Sequence, residues 1–129
     1  MKILKHPIIP IIIFLGLTSI IPILAATATI SAKEADKHIN EYATVSGKVF
    51  KVFVSKKGTI FLNIDGEYPN QPFSGVIFSD KVSQFNGGIK EITAYEDKNV
   101  LISGKIQEYK GKPEIIITST SQIKLAEGQ

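Results

Sequence analysis

The chain has 129 residues with fifteen lysines, twelve acidic residues and two histidines, and it contains neither arginine nor cysteine. This length allows one domain once an N-terminal leader is set aside. The lack of cysteine excludes disulfides and thiol chemistry, and the lack of arginine excludes the bidentate guanidinium contacts typical of tight guanine and phosphate recognition.

The N-terminal residues have the pattern of an export leader. Lys2 and Lys5 precede a run of 17 apolar or small residues, Ile8 to Leu24, and small residues follow in "AATATISA". The pattern predicts a signal peptide over residues 1–28, cleaved near residues 25–28, and hence a periplasmic or secreted protein. An uncleaved membrane tether is the alternative, since the run is long for such a leader. Without the leader, thirteen lysines face twelve acids, so a strong electrostatic case for nucleic acid is absent.

A short helix is expected at the start of the mature chain. "SAKE" has the form of a capping box, with Ser31 as the N-cap and Glu34 at the third helical position. The helix should end at Ile39, before Asn40.

A long first strand begins at Tyr42, and its apolar residues change phase along the way. Val45 and Val49 fall on one parity and Phe50, Val52 and Val54 on the other, which predicts a β-bulge near residues 47–50. A three-residue hairpin loop, 56–58, with Gly58 in the left-handed conformation sets the pairing with the second strand. The expected pairs are Val54 with Ile60, Val52 with Leu62, Phe50 with Ile64, Phe53 with Phe61, and Lys51 with Asn63.

The remaining pattern predicts three more strands and a second helix. Phe73 to Phe78 forms the third strand, Ser79 to Phe85 a short helix, and 86–98 an irregular loop. Val100 to Tyr109 is the fourth strand, with Val100, Ile102 and Ile106 inward. "KGKP" turns the chain into a fifth strand, Glu114 to Thr118. "VSGKV" and "ISGKI" suggest that the first and fourth strands lie side by side. Residues 121–129 read as a frayed tail; the domain is set at 29–125 with a flexible tail over 126–129.

These elements describe an all-β, five-stranded Greek-key OB-fold barrel, with a short N-terminal helix and a short helix between strands three and four. The mature chain also resembles a bacterial family of small exported OB-fold domains described as nucleic-acid-binding. The segments that carry this resemblance are "GTIFLNI", "YPNQPF" and "YKGKPEIII". The resemblance implies the same fold and a DNA-binding function.

The loop between the second and third strands has two interpretations. Pro69 and Pro72 stiffen it, and Tyr68 and Phe73 are expected to cover one end of the barrel. Alternatively, Tyr68, Asn70 and Phe73 contact a ligand.

A ligand is expected on the outer face of the first three strands and in the flanking loops. The predicted site consists of aromatic residues for stacking, lysines for phosphates and one amide: Lys51, Phe53, Lys56, Lys57, Phe61, Asn63, Lys110 and Lys112. This composition suggests weak, sequence-independent binding of single-stranded DNA or RNA. The phenylalanine pair can equally stabilise the hairpin, and the lysines can equally provide solubility. An envelope protein or an oligosaccharide is the alternative ligand.

Enzymatic activity is not expected. The mature chain has one histidine, His38, and its acids and serines show neither a metal-ligand spacing nor a base partner. The sequence therefore predicts a monomeric, non-enzymatic binding module without cofactor or metal.

Overall fold

The structure is a computed structural model that describes residues 28–127. Eight strands lie within this range: β1 (Thr29–Ser31), β2 (Tyr42–Val54), β3 (Ile60–Ile64), β4 (Phe73–Ile77), β5 (Asn99–Lys105), β6 (Gln107–Tyr109), β7 (Lys112–Ile116) and β8 (Ile123–Leu125). One α-helix, α1 (Gly88–Thr93), and three 3₁₀ helices complete the fold: Ala32–His38, Ser79–Gln84 and Thr120–Gln122. The predicted leader falls almost entirely on residues 1–27, outside the described residues. Between residues 28 and 127, no helix has the length and hydrophobicity needed to cross a membrane.

The strands close into a barrel. Their order in the sheet is β6-β7-β4-β3-β2-β5-β8, with β4 and β7 parallel and the other pairs along this path antiparallel. Only Ile106 separates β5 from β6, so these two strands are one bent strand that pairs with β2 at one end and β7 at the other. This connectivity confirms the five-stranded Greek-key barrel and the side-by-side placement of its first and fourth strands.

The hairpin between β2 and β3 has the predicted register, with one correction. Lys51 lies opposite Asn63 and Phe53 opposite Phe61, and Gly58 has a φ of +83° in the connecting turn. The pairing shifts between Val49 and Lys51, which confirms the bulge. The prediction that Phe50 pairs with Ile64 is wrong, because Val49 is the partner of Ile64. Phe50 occupies the bulge and is 49% exposed.

The hydrophobic core is filled by aliphatic side chains and two phenylalanines, Phe73 and Phe85. The predicted inward residues of the fourth strand, Val100, Ile102 and Ile106, are fully buried. Other strands, with Ile117 just after β7, contribute much of the remaining core: Val45, Val49, Ile60, Leu62, Ile64, Phe73, Ile77, Ile115 and Ile117. Alternate residues of β2, β3 and β4 therefore face outward, and these residues form the candidate site.

Three short elements differ from the sequence prediction. The loop 86–98 contains α1, whose Ile92 is buried in the core. Ser31 is the N-cap of the first 3₁₀ helix, but its side chain makes no capping hydrogen bond. The capping box instead forms between Ser119 and Gln122.

The C-terminal residues are also better ordered than the pattern suggested. Residues 121–125 are not a frayed tail, because β8 pairs with β5 and Ile123 is buried. Gln122 anchors this strand: its amide donates to the carbonyls of Ser103 and Ile116.

Candidate functional site

A groove of about 700 Å³ runs over the outer face of the barrel, across β2, β3, β4 and the β6–β7 turn. Phe53 and Phe61 form one wall. They are opposite each other across the β2–β3 pair, with ring centroids 6.3 Å apart and ring planes inclined by 32°. Phe53 is 54% exposed, so one of its faces is open to a ligand.

Two tyrosines form the other walls of the groove. Tyr68 and Pro69 come from the β3–β4 loop, and Tyr109 comes from β6, opposite Lys112 of β7. Tyr68 is 73% exposed, so the prediction that it covers the barrel end is wrong. Phe73 does fill the core, and it is therefore unavailable as a ligand contact. The groove thus presents four aromatic side chains.

Polar side chains form a continuous row across the outer face of the sheet, and all of them except Gln107 line the groove. In the strand registers, Lys51 pairs with Asn63, Asn63 with Ser74, Ser74 with Glu114, and Glu114 with Gln107. Partners in adjacent strands point to the same face of a sheet, so these five side chains lie side by side. The aromatic pair Phe53–Phe61 lies two residues further along the same strands.

All four buried polar residues identified between residues 28 and 127 line this groove: Asn63, Gln71, Ser74 and Glu114. Gln71 donates from Nε2 to the Ser74 hydroxyl over 3.3 Å, and its buried Oε1 has no partner. Asn63 is 5% exposed and also lines the groove. Buried polar groups without partners are costly, and Gln71 Oε1 is such a group at the floor of the groove.

Glu114 is the only buried carboxylate among residues 28–127, being 7% exposed. One carboxylate oxygen accepts a hydrogen bond from Gln107 Nε2 over 2.9 Å. Burial raises the pKa of Glu114 above its ordinary value, and the Gln107 hydrogen bond opposes this shift only in part.

Three lysines stand at the edge of the groove, and each already has a neighbour. Lys51 forms an ion pair with Glu96, with 3.3 Å between Nζ and Oε1. Lys110 lies over the Tyr109 ring, its Nζ 5.4 Å from the centroid, and Lys112 donates to the Gln71 carbonyl over 3.3 Å. Together with Glu67 and Glu114, the charges of the groove nearly cancel.

The structure brings together most, but not all, of the predicted site residues. Those that line the groove are Lys51, Phe53, Phe61, Asn63, Tyr68, Lys110 and Lys112. Lys56 and Lys57 lie in the hairpin turn and Asn70 in the next loop, exposed but outside the groove lining. Sequence reasoning missed Tyr109 and the floor residues Gln71, Ser74 and Glu114. Tyr109 could have been found, since it begins the "YKGKP" turn; the floor residues depend on the parallel β4–β7 pair.

The described residues offer no metal centre. No group of three or more His, Cys, Asp or Glu side chains between residues 28 and 127 is placed to hold a metal ion.

Comparison with known proteins supports the fold. No protein-family model matches the chain, and no curated protein matches it in sequence. Among solved structures, an OBody (AM1L10) bound to hen egg-white lysozyme is similar over 77% of this chain and 93% of its own, with a TM-score of 0.56 and 16% identity. The asparaginyl-tRNA synthetase of Entamoeba histolytica is similar over 77% of this chain and 23% of its own, with a TM-score of 0.53 and 17% identity.

The asparaginyl-tRNA synthetase of Pyrococcus horikoshii is similar over 74% of this chain and 22% of its own, with a TM-score of 0.50 and 14% identity. The chain thus spans about a quarter of the length of these synthetases. At such identities the likeness concerns the fold alone. Together with the strand connectivity, it establishes an OB-fold barrel.

Proposed function

We propose that this protein is an OB-fold binding module that holds single-stranded nucleic acid in its outer groove. The observation that carries the proposal is the groove itself, in which four aromatic side chains stand beside three lysines on the face formed by the first barrel strands. Aromatic rings stack on bases of any sequence, and lysines meet the phosphates between them. Two of the neighbours in fold are tRNA synthetases.

The free energies of the expected contacts predict weak binding. Base stacking contributes about 1–3 kcal/mol per base. Two stacked bases at Phe53 and Tyr109 therefore supply roughly 2–6 kcal/mol, whereas a micromolar dissociation constant corresponds to about 8 kcal/mol. Lys51 forms an ion pair with Glu96, so contacts between the lysines and phosphates supply only part of the free energy still needed for micromolar binding. We expect dissociation constants in the micromolar range or above at low salt.

The test is fluorescence anisotropy of labelled single-stranded DNA and RNA with purified protein, at low and moderate salt. A Phe53→Ala/Phe61→Ala variant should bind at least tenfold more weakly, because it removes one stacking wall. Phe50→Ala/Phe78→Ala is the matched control, since both residues are exposed phenylalanines outside the groove. Failure of the unmodified protein to bind at low salt would exclude the proposal.

A protein ligand is the second candidate. The OBody, which matches this chain over nearly its own full length, is bound to lysozyme, so a barrel of this size and fold can hold a protein. An envelope protein or a glycan on the same aromatic face would bind with little dependence on salt, whereas a nucleic acid would be released as salt is raised.

The proposal places this module outside the cytoplasm and gives it no catalytic role. Its support is the leader pattern in residues 1–28 and the absence of a catalytic constellation in the groove. N-terminal sequencing of the protein from an expressing bacterium, after fractionation of cytoplasm, membrane and periplasm, tests both the cleavage near residues 25–28 and the location. Size-exclusion chromatography with light scattering tests the expected monomer.

A further inference from the structure

We propose that the floor of the groove distinguishes between bases, and that Asn63 and Glu114 together favour guanine over thymine or uracil. This inference rests on the proposed function, since it concerns a base already held against the aromatic walls. It replaces sequence-independent binding by a preference at one nucleotide position.

The position of the two side chains suits a base edge. Asn63 and Glu114 stand on β3 and β7, with β4 and Ser74 between them in the same row. Neighbouring strands are about 4.8 Å apart, so the two backbones are separated by roughly 10 Å. Both side chains project from this row into the groove next to the Phe53–Phe61 wall. A purine stacked on that wall can present its hydrogen-bonding edge to the space between them.

The hydrogen-bond donors and acceptors of the floor determine which base edge can bind there. An ionised Glu114 only accepts hydrogen bonds, whereas the Asn63 amide both donates and accepts. One Glu114 oxygen accepts a hydrogen bond from Gln107, and an ionised carboxylate has capacity to accept several more. The floor therefore favours a base with two adjacent N–H donors for the Glu114 carboxylate and a carbonyl acceptor for the Asn63 amide.

Guanine meets this requirement, whereas cytosine has the acceptor N3 beside its N4 amino group and therefore lacks the second donor. Its Watson–Crick edge offers N1–H and the N2 amino group to a carboxylate, and O6 to an amide donor. Unstacked single-stranded bases expose this edge to proteins. Thymine and uracil place carbonyls on both sides of a single N–H, so one carbonyl would face the Glu114 carboxylate. That contact is repulsive and leaves buried acceptors unpaired.

The burial of polar groups in the floor of the groove supports a ligand role. Glu114 is buried to more than nine-tenths, and its charge is disfavoured there, as its raised pKa indicates. A glutamine at this position would keep a polar contact with Gln107 without the buried charge. In the same groove, Gln71 Oε1 is buried and has no hydrogen-bond partner within residues 28–127. A buried acceptor without a partner and a buried carboxylate in one groove are expected where a ligand completes the hydrogen bonds.

The experiment measures a base preference rather than binding alone. Labelled dT15 is compared with the same oligonucleotide carrying one central dG, dA, dC or deoxyinosine, by anisotropy at low salt. We expect the dG oligonucleotide to bind about tenfold more tightly than dT15, because a well-placed bidentate contact gives discrimination of this order. Deoxyinosine lacks the N2 amino group and should lose most of that gain, which tests the inference on the unmodified protein.

The variant Glu114→Gln should lower the ratio of dG to dT affinity to below about threefold. Glu108→Gln is the control, since Glu108 is an exposed acid of the same hairpin outside the groove lining, and it should leave the ratio unchanged. Equal binding of dT15 and all substituted oligonucleotides would overturn the guanine inference and leave the proposed function standing. A preference for dC or dA, or a guanine preference that survives Glu114→Gln in a folded protein, would also overturn it. Absence of binding to every oligonucleotide would instead refute the proposed function.

Discussion

The number of lysines at the groove fixes the salt dependence of nucleic-acid binding. For a single strand, the logarithm of the binding constant falls with the logarithm of salt concentration with a slope of about −0.7 per phosphate neutralised. Three lysines line the groove, so the expected slope is about −2. The five lysines of the sequence-based site, which include the hairpin residues Lys56 and Lys57, would give about −3.5. Between 50 and 200 mM salt, the structure thus predicts a loss of roughly 20-fold in affinity rather than 100-fold.

Removing one of these lysines tests whether the groove lysines contact the phosphates. Lys110→Gln should weaken binding at low salt and reduce the slope to about −1.4. Lys124→Gln makes the same charge change on β8, away from the groove, and should leave the slope near −2. Anisotropy titrations at four or five salt concentrations measure both slopes. Equal effects of the two variants would refute the idea that phosphates follow the groove.

Three further changes test the site and the barrel. Glu96→Gln frees Lys51 from its ion pair and should tighten binding at low salt by about twofold to fivefold; unchanged affinity would contradict this role of Lys51. Gln122→Ala removes five hydrogen bonds and should lower the free energy of unfolding in urea by about 2–4 kcal/mol, whereas Lys124→Ala should change it little. Glu114→Gln should stabilise the protein at pH 7, because a raised pKa means that the charged form destabilises the fold. This gain should disappear below the ordinary pKa of 4.5, where the carboxyl is neutral in both states; urea unfolding at pH 7 and pH 4 that showed equal gains would contradict it.

The parts of the fold that could be predicted are those with short-range determinants. Gly58 fixes the hairpin turn, and one register alone keeps apolar and polar residues on separate faces of β2 and β3. The change of phase of the apolar residues along β2 predicts the bulge, but it does not predict which residue occupies the bulge. Either Val49 or Phe50 could pair with Ile64, and the choice depends on whether the core has space for a phenylalanine at that point.

The parts that could not be predicted depend on distant pairing. Ser74 and Glu114 become neighbours only through the parallel β4–β7 pair, which no local alternation specifies. Strand β8 has one buried residue, Ile123, too few for a strand pattern, and Gln122 anchors it through side-chain contacts. Helix α1 is six residues long, below the length at which periodicity identifies a helix.

The distribution of buried polar groups argues for function on this face rather than for a merely solvated wall. A barrel needs polar residues on its outside, but it does not need them buried, and exposed lysines elsewhere already provide solubility. Here every buried polar residue identified between residues 28 and 127 lies in the groove, and one of them is a carboxylate whose charge destabilises the fold. If buried polar residues had no function here, we would expect them to be distributed over the whole molecule. Their concentration beside four aromatic side chains is what a binding site requires, since unsatisfied hydrogen-bonding groups cost stability in the free protein and gain specificity when a matching ligand is bound.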